Sequence, residues 1–457
     1  MQLTEIENSI QDLESVDIST LASILSRHNI DWEDYPLIFQ AFKNLQEVKR
    51  FNSHLFDFLP FLDLARLHHL EIVSSERSGI QTPPNFPHWH QLKTLSLIFN
   101  QAHTIPDEIL KATQVSTLQL KVSGGMFEGT GLGNLDKLTQ LTSLELPKRM
   151  PKLALDTIDR IFQLTQLEYL DVSGIKAKTI AQHIGQLKNL KQIHLRLSSQ
   201  EQIVLENLSQ LKNLEQFKSK FISKIPECLT QLQKLHTFRL KVNDTFKQNT
   251  QILQRLPHLR TLELYFETNI SEDLLQLTQV THLHLLHHAQ FDIVATFEIL
   301  RRMPHLEGLS IYIASDQEDT TVKYLGAMPQ LKELTVMCDH HINLKKMFES
   351  LHRLENLQSL TISGPRDFNI PPQLPSLPRL QSIQIYSIAP NPTNQLHYFQ
   401  YLAKLPELTH LHITDEETMP QELEAFIKLK HLSVGSETFI LESERLKKAL
   451  PYTKITY

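Results

Sequence analysis

The chain has 457 residues, 41% of them hydrophobic, which is too apolar for a disordered segment. Its formal net charge of −6 excludes the general basic excess that draws a protein to nucleic acid or to an anionic membrane. With only 12 glycines it has no long flexible linker.

The first stretch, MQLTEIENSIQDLES, is acidic and amphipathic, with neither a basic n-region nor an apolar h-region. No apolar run reaches the ~18 residues of a membrane span. The expectation is a cytoplasmic protein with no membrane association. Within residues 1–41, Leu21, Ile24, Leu25 and the run Leu37–Phe42 predict two or three short helices, with Asp17 or Ser19 as a cap for the second. Such a helical segment would cover the exposed end of a stacked array. A small signalling module is the alternative, although about 40 residues is short for one.

From residue 42 a phrase takes over: L-x-x-L-x-x-L-x-L. Phe42, Leu45 and Val48 fit its first three anchors, with Arg50 where the fourth should stand. It then reads LARLHHLEI at Leu64–Ile72, LTQLEYLDV at Leu164–Val172, LPHLRTLEL at Leu256–Leu264, MPQLKELTV at Met328–Val336 and LPELTHLHI at Leu405–Ile413. The third anchor recurs sixteen times between Leu70 and Leu432, at a mean spacing of about 24 residues. Ile455 and Tyr457 fit one more short strand. The L-x-L part alternates with period two and predicts a strand with leucines in and the x residues out. No unit can bury its leucines alone, so neighbours must stack and share one core.

Between phrases, LDTIDRIFQL (Leu155–Leu164), VATFEILRRM (Val294–Met303) and LKKMFESLHRL (Leu344–Leu354) predict helices. Pro257, Pro304, Pro329, Pro378 and Pro406 all follow the first anchor, where proline stops a helix and turns the chain into the strand. Pro106, Pro226, Pro371 and Pro420 occupy a second phase before the return segment. Cys228 and Cys338 fall about four repeats apart. At the ~4.8 Å spacing of parallel strands that is on the order of 20 Å, too far for a disulfide.

The phrase resembles the leucine-rich-repeat superfamily across residues 42–457. TIPDEILKATQVSTLQL (Thr104–Leu120) and KIPECLTQLQKLHTFRL (Lys224–Leu240) are similar to the intracellular bacterial, Ras-group and plant resistance-protein repeats, and LKKALPYTKITY (Leu446–Tyr457) to the terminal caps of bacterial members. The resemblance implies an α/β solenoid: a leucine-rich-repeat horseshoe with a concave parallel β-sheet, convex helical or irregular segments and a short helical N-terminal cap. The expected organisation is a cap over 1–41, the array over 42–445, and a capping helix and strand over 446–457. One departure stands out. The family's asparagine three residues after L-x-L is matched only by Asn100 and Asn243. Ser123, Arg149, Ser198, Glu267, His288 and Pro365 replace it elsewhere.

The resemblance also implies a role in partner recognition through the concave face. On that face, positions predicted to point outward collect cations in three consecutive repeats: His194 and Arg196, Lys218 and Lys220, Arg239 and Lys241, with Phe221 at the border. Like charges stacked so closely repel; holding them in an acidic chain points to a protein partner with an acidic surface. A solvated strand face of mixed charge is the plain alternative, and the shortness of the stripe argues against nucleic acid. Tyr265, Tyr312 and Tyr386, with Tyr324 less securely placed, suggest aromatic anchors next to it, ordinary exposed strand tyrosines being the alternative. Candidate contacts are thus Arg196, Lys218, Lys220, Arg239, Lys241, Tyr265 and Tyr312. Of the 23 histidines, His282 and His284 share one strand face, and His410, His412 and His431 cluster on adjacent strands. The latter three are a secondary metal candidate that lacks an acidic or thiolate fourth ligand.

MFEGTGLGNL (Met126–Leu135) has glycines but no phosphate-loop Lys-Ser/Thr, and reads as an inserted loop. Neither H-E-x-x-H, C-x-x-C nor G-x-S-x-G occurs. The expectation is a non-enzymatic protein-binding scaffold without a cofactor. The alternative is a substrate-recognition or sensor subunit of an assembly whose catalysis is supplied in trans.

Overall fold

The computed structural model describes residues 10, 13–27, 30, 32–52, 61–74, 86–99, 105–123, 127, 131–150, 153–197, 202–219, 224–266, 269–287, 292–313, 318–338, 344–364, 377–386, 402–413, 425–435 and 445–456. Contacts divide the chain into two compact units. One comprises Met1–Phe238 with Arg255–His258, the other Arg239–Gln254 with Leu259–Tyr457.

Strands form where the phrase ends in its alternating pair. In the first unit these are β1 (Ser15–Asp17), β2 (Glu47–Asn52), β3 (His69–Val73), β4 (Thr94–Phe99), β5 (Thr117–Val122), β6 (Ser143–Glu145), β7 (Tyr169–Asp171), β8 (Gln192–Leu195) and β9 (Gln216–Ser219). Strand β10 (Thr237–Val242) gives its first two residues to this unit and the rest to the second. The second unit continues with β11 (Thr261–Phe266), β12 (His282–His287), β13 (Gly308–Ile313), β14 (Glu333–Cys338), β15 (Ser359–Ser363), β16 (Ser382–Tyr386), β17 (His410–Ile413), β18 (His431–Ser433) and β19 (Lys454–Thr456).

Every described pairing is parallel, and the third anchors lie in one register. In the first unit the line runs Val48, Leu70, Leu95, Leu118, Leu144, Leu170, Ile193, Phe217 and Phe238. In the second it runs Leu262, Leu283, Leu309, Leu334, Leu360, Ile383, Leu411, Leu432 and Ile455. Among the described residues neither ladder closes on itself. Nearly all these anchors are fully buried, because each leucine packs against its equivalents in the coils on either side. This is the architecture of a leucine-rich-repeat solenoid.

The anchors before each strand form hydrogen-bonded turns. Leu306 N–H donates to the Met303 carbonyl at 3.1 Å, and Leu331 N–H to the Met328 carbonyl at 3.1 Å. Pro304 and Pro329 thus occupy the second position of an i→i+3 turn, where the ring pre-sets the required φ. Just after the turn, one carbonyl accepts two successive amides from the next coil. The Lys191 carbonyl receives Glu215 and Gln216 N–H, and the Lys332 carbonyl receives Gln358 and Ser359 N–H. The pattern repeats along both units and satisfies backbone groups that would otherwise be orphaned.

On the turn after the strand, where the family asparagine is mostly missing, backbone bonds stand in. Ser123 N–H reaches the Phe99 carbonyl at 2.8 Å and Gly364 N–H the Tyr386 carbonyl at 3.0 Å. Asn243 bonds locally instead, its Oδ1 accepting from Thr245 N–H at 3.1 Å and from Thr245 Oγ1 at 2.7 Å. Asn100, Ser198, Glu267, His288 and Pro365 lie outside the described residues.

The return segments follow the sequence. Helices cover Leu155–Phe162, Ile293–Leu300 and Leu344–Leu351. After Pro106 and Pro226 the chain makes single 3-10 turns over Asp107–Lys111 and Glu227–Gln231. Pro371 and Pro420 are outside the described residues. Near the N-terminus are the expected short helices, α1 (Ile18–Arg27) and α2 (Tyr35–Gln40). Asp17 caps α1, its Oδ1 accepting from Thr20 N–H at 3.0 Å. The leucine phrase does not announce β1, which pairs with β2 and extends the ladder upstream. Arg50 explains the missing fourth anchor of the first copy. It sits in a bulge at φ 46, and its guanidinium pairs with Asp17 and bonds Thr20 Oγ1. At the other end residues 445–449 are helical and Ile455 pairs with Leu432. Tyr457 is outside the described residues.

Two substitutions separate the anchors from the face they support. Leu334→Ala empties a site 1% exposed and should cost about 2–5 kcal/mol, while Thr335→Ala beside it should stay within about 0.5 kcal/mol. Urea midpoints followed by circular dichroism check the contrast. Gly364→Ala should also destabilise, because its φ is 110 and an added Cβ would lie 2.0 Å from the Cys338 carbonyl oxygen.

Candidate binding face of the sheet

Side chains between the anchors point away from the core and stack into rows that can be read from the register. In the first unit the central row is Glu71, Ser96, Gln119, Glu145, Asp171, His194 and Lys218. It changes from acidic to basic along the ladder, and the sign change is bridged. His194 Nδ1 lies 3.3 Å from Asp171 Oδ2 and 3.4 Å from the Tyr169 hydroxyl. Burial pushes the Asp171 carboxyl up, but hydrogen bonds from His194 and Ser173 outweigh it and hold the group below its ordinary value. Burial, reinforced by Asp171 and Glu145, pushes the Tyr169 phenol up to about 12.

The candidate cations are distributed unevenly. Arg196 lies just past β8 and is exposed, and Lys218 is half-buried. Lys220 and Phe221 are outside the described residues. In the second unit Arg239 is ion-paired with Glu263 at 3.1 Å, and Lys241 Nζ lies 6.0 Å from the centre of the Tyr265 ring. Arg239 is therefore partly neutralised by an acid on the same face, and His194 is hydrogen-bonded to one.

The second unit carries a different row. Tyr265 stands beside Leu286, Tyr312 beside Met337, then Ser363 and Tyr386. The pairing of Leu285 with Ile311 brings Leu286 and Tyr312 next to each other. These side chains are half-buried, and Tyr386 is 37% exposed. The row beside it is small and polar: His284, Ser310, Thr335, Thr361 and Gln384. Leu286 and Met337 join this row although nothing in their residue type marks them out. They occupy the same phase as Tyr265 and Tyr312, so the signal was there, but a residue between two anchors reads as core when it is itself apolar. Tyr324 belongs elsewhere: it lies on the helix Glu318–Leu325, its ring stacked at 5.7 Å on Phe297, in the return layer.

The histidines are held individually. His282 Nδ1 lies 2.8 Å from the Thr281 hydroxyl and its Nε2 3.7 Å from Glu333. Gly308 lets its ring lie flat, since a Cβ there would come within 2.2 Å of it. His410 Nδ1 lies 2.9 Å from the Thr409 hydroxyl and His431 Nε2 3.4 Å from the Thr456 hydroxyl. The His410 and His431 rings stack at 6.0 Å. Their nitrogens are turned to different neighbours, and among the described residues no three His, Cys, Asp or Glu side chains form a metal-holding group. The zinc candidacy of His410, His412 and His431 therefore finds no geometry to support it. Cys228 and Cys338 are unbridged. Burial pushes the Cys228 thiol up, the opposite of what a reactive thiolate needs. No helix among the described residues is long and apolar enough to cross a membrane.

The depressed Asp171 carboxyl has a consequence for stability. Its contribution is full above the ordinary aspartate value of about 3.9 and is lost as pH falls through the lower folded value. Asp171→Asn should lower the urea midpoint at pH 7, and the gap to the unaltered protein should close on acidification below about pH 4.

The model of the leucine-rich repeat region family matches residues 39–279 and 267–436. Among solved structures, an internalin from Listeria monocytogenes is 17% identical, with 76% of this chain and 87% of that chain covered and a TM-score of 0.37. A leucine-rich-repeat protein from Leptospira interrogans is 20% identical, with coverage of 83% and 100% and a TM-score of 0.37. A plant peptide hormone receptor, solved in complex with RGF2, is 16% identical, with coverage of 87% and 60% and a TM-score of 0.30. No curated protein matches. The family model spans the same coils whose anchors pair in register, and the chain belongs to the leucine-rich-repeat family.

Proposed function

We propose that the protein is a non-enzymatic scaffold that recognises a protein partner on the open face of its parallel strands, with residues 1–41 and 446–457 capping an array over 42–445. The observation that carries this is the row Tyr265, Leu286, Tyr312, Met337 and Tyr386 in the second unit. Water-facing rows of large apolar side chains are unfavourable unless something covers them. Tyrosine and methionine are also the residue types that interface cores favour.

Six adjacent strands at ~4.8 Å give the row a length of roughly 24 Å, matching about seven residues of extended chain. The hydroxyl and amide groups of Ser310, Thr335, Thr361 and Gln384 run alongside and can bond a peptide backbone. Basic contacts to an acidic partner would come from Lys241 and Arg239 in this unit; Arg196, Lys218 and Lys220 are separate candidate contacts of the other unit. Because Arg239 and His194 already have carboxylate partners, apolar burial supplies most of the affinity and the cations mainly speed encounter.

Affinity purification of the full chain from its native cells, followed by mass spectrometry, identifies a partner. Tyr312→Ala should weaken its affinity by about tenfold or more, and Tyr312→Ala/Met337→Ala together should abolish capture while the circular dichroism spectrum is unchanged. Lys218→Glu should reduce the association rate more than it raises the dissociation rate. A partner held equally well by the Tyr312/Met337 double variant would overturn the assignment of this row.

A further inference from the structure

Across β16, β17 and β18 the open face of the second unit dips into a cavity of about 220 Å³. Gln384 and Tyr386 border it on β16, His410 and His412 on β17, and His431 and Ser433 on β18. Pockets for drug-sized ligands and cofactors run to roughly 300–1,000 Å³, so this one suits a single side chain. Among the described residues, three imidazoles and no carboxylate line it. Lys454 on β19 stands beside His431 in the register. The outward residues of β15, Ser359, Thr361 and Ser363, carry no charge, and Tyr386 is the one titratable group on β16. Glu333, on β14, is three strands from His410, about 14 Å away, and it already faces His282.

Within the cavity His412 is unusual. Its ring lies 4.7 Å from the Tyr386 ring, and its Nε2 is buried with no hydrogen-bond partner among the described residues. A buried polar atom without a partner forfeits the bond it had to water. The arrangement is costly for the protein alone.

We propose that this cavity seats one carboxylate side chain, aspartate or glutamate, of an acidic peptide segment, held among the imidazoles of His410, His412 and His431. The proposal rests on the reading of this face as a recognition surface and names the chemistry of one subsite. A cationic side chain would meet three imidazoles and Lys454. A phosphoryl group would need the guanidinium forks that recognise it best, and among the described residues no arginine lines the cavity. A metal ion would need nitrogens converging on one point, which these rings do not provide.

The seat couples binding to protons. Burial, with the neighbouring His431, holds His412 below its ordinary value. Burial, with His410 and Lys454, does the same to His431. A carboxylate arriving beside them favours the charged imidazole, so binding draws in a proton and tightens as pH falls. One proton taken up corresponds to about a tenfold gain per pH unit.

The test uses the full chain with fluorescein-labelled octaglutamate and octaglutamine, followed by anisotropy at pH 7.5, 6.5 and 5.5. Octaglutamate should bind about tenfold or more tightly at pH 5.5 than at pH 7.5, and octaglutamine should show no such gain. His412→Gln and His431→Gln should each weaken octaglutamate binding by about fivefold or more at pH 5.5 and flatten the pH profile. If either variant misfolds, Ser433→Glu replaces it. That residue pairs with His412 in the register, so its own carboxylate should block octaglutamate and raise the melting temperature at pH 5.5 relative to pH 7.5. Equal binding of the two peptides, unchanged binding in the histidine variants, or binding that needs added zinc would overturn the proposal. A phosphoserine peptide that outcompetes octaglutamate would do the same. Octaglutamate binding that survives Tyr312→Ala/Met337→Ala while partner capture is lost, or the converse, separates the cavity from the apolar row.

Discussion

A coil of some two dozen residues cannot bury its own leucines, and every other property of this protein follows from that. One coil has a single strand, one turn and a short return, with no opposite layer to pack against. Burial comes only from the next coil placed directly alongside, and only if equivalent anchors meet. The register lines from Val48 to Phe238 and from Leu262 to Ile455 are the expression of this requirement. Since a one-residue slip would carry the anchors to the other face of the strand, the hydrophobic term that stabilises each unit also specifies which side chains face water.

That coupling makes the open face unusually readable. Once the anchors are found, the outward positions follow without reference to tertiary structure, and the rows in each unit are those that the L-x-L alternation implies. The helices at Leu155–Phe162, Ile293–Leu300 and Leu344–Leu351 were equally legible, because three or four apolar residues at helical spacing fill each of those segments. Less legible was β1. Its sequence, Ser-Val-Asp, is too short to show alternation, and it is a strand because β2 offers it an unpaired edge. The structural role of Arg50 was invisible for a similar reason: a positive φ and a charged partner thirty-odd residues upstream leave no local signature.

The functional side chains divided along the same line. Charge is conspicuous in a sequence, so the cations of β8 to β10 stood out. Their pairing with Asp171 and Glu263 depends on neighbours one strand away and appears only when the rows are assembled. Leu286 and Met337 gave the reverse case. Apolar residues in an apolar repeat carry no contrast in composition, and it is their phase after the anchors, with the register, that places them with Tyr265 and Tyr312 rather than with the anchors. His412 is intermediate: its place on the face could be inferred, but not the orphaned nitrogen or the hollow around it.

The doubled amide bonds that precede most of the strands have a bearing on how such a chain can change. They tie each coil to the next on the strand side, where the chain must always advance by one strand width. Equivalent residues across a step are nevertheless separated by as few as 21 positions, as between Asn213 and Lys234, or by as many as 28, as between Gln381 and Thr409. All of that slack is taken up on the return side. Insertions and deletions are thus absorbed away from the outward rows of the strands, and coils of unequal length can be gained, lost or exchanged without breaking the register of those rows.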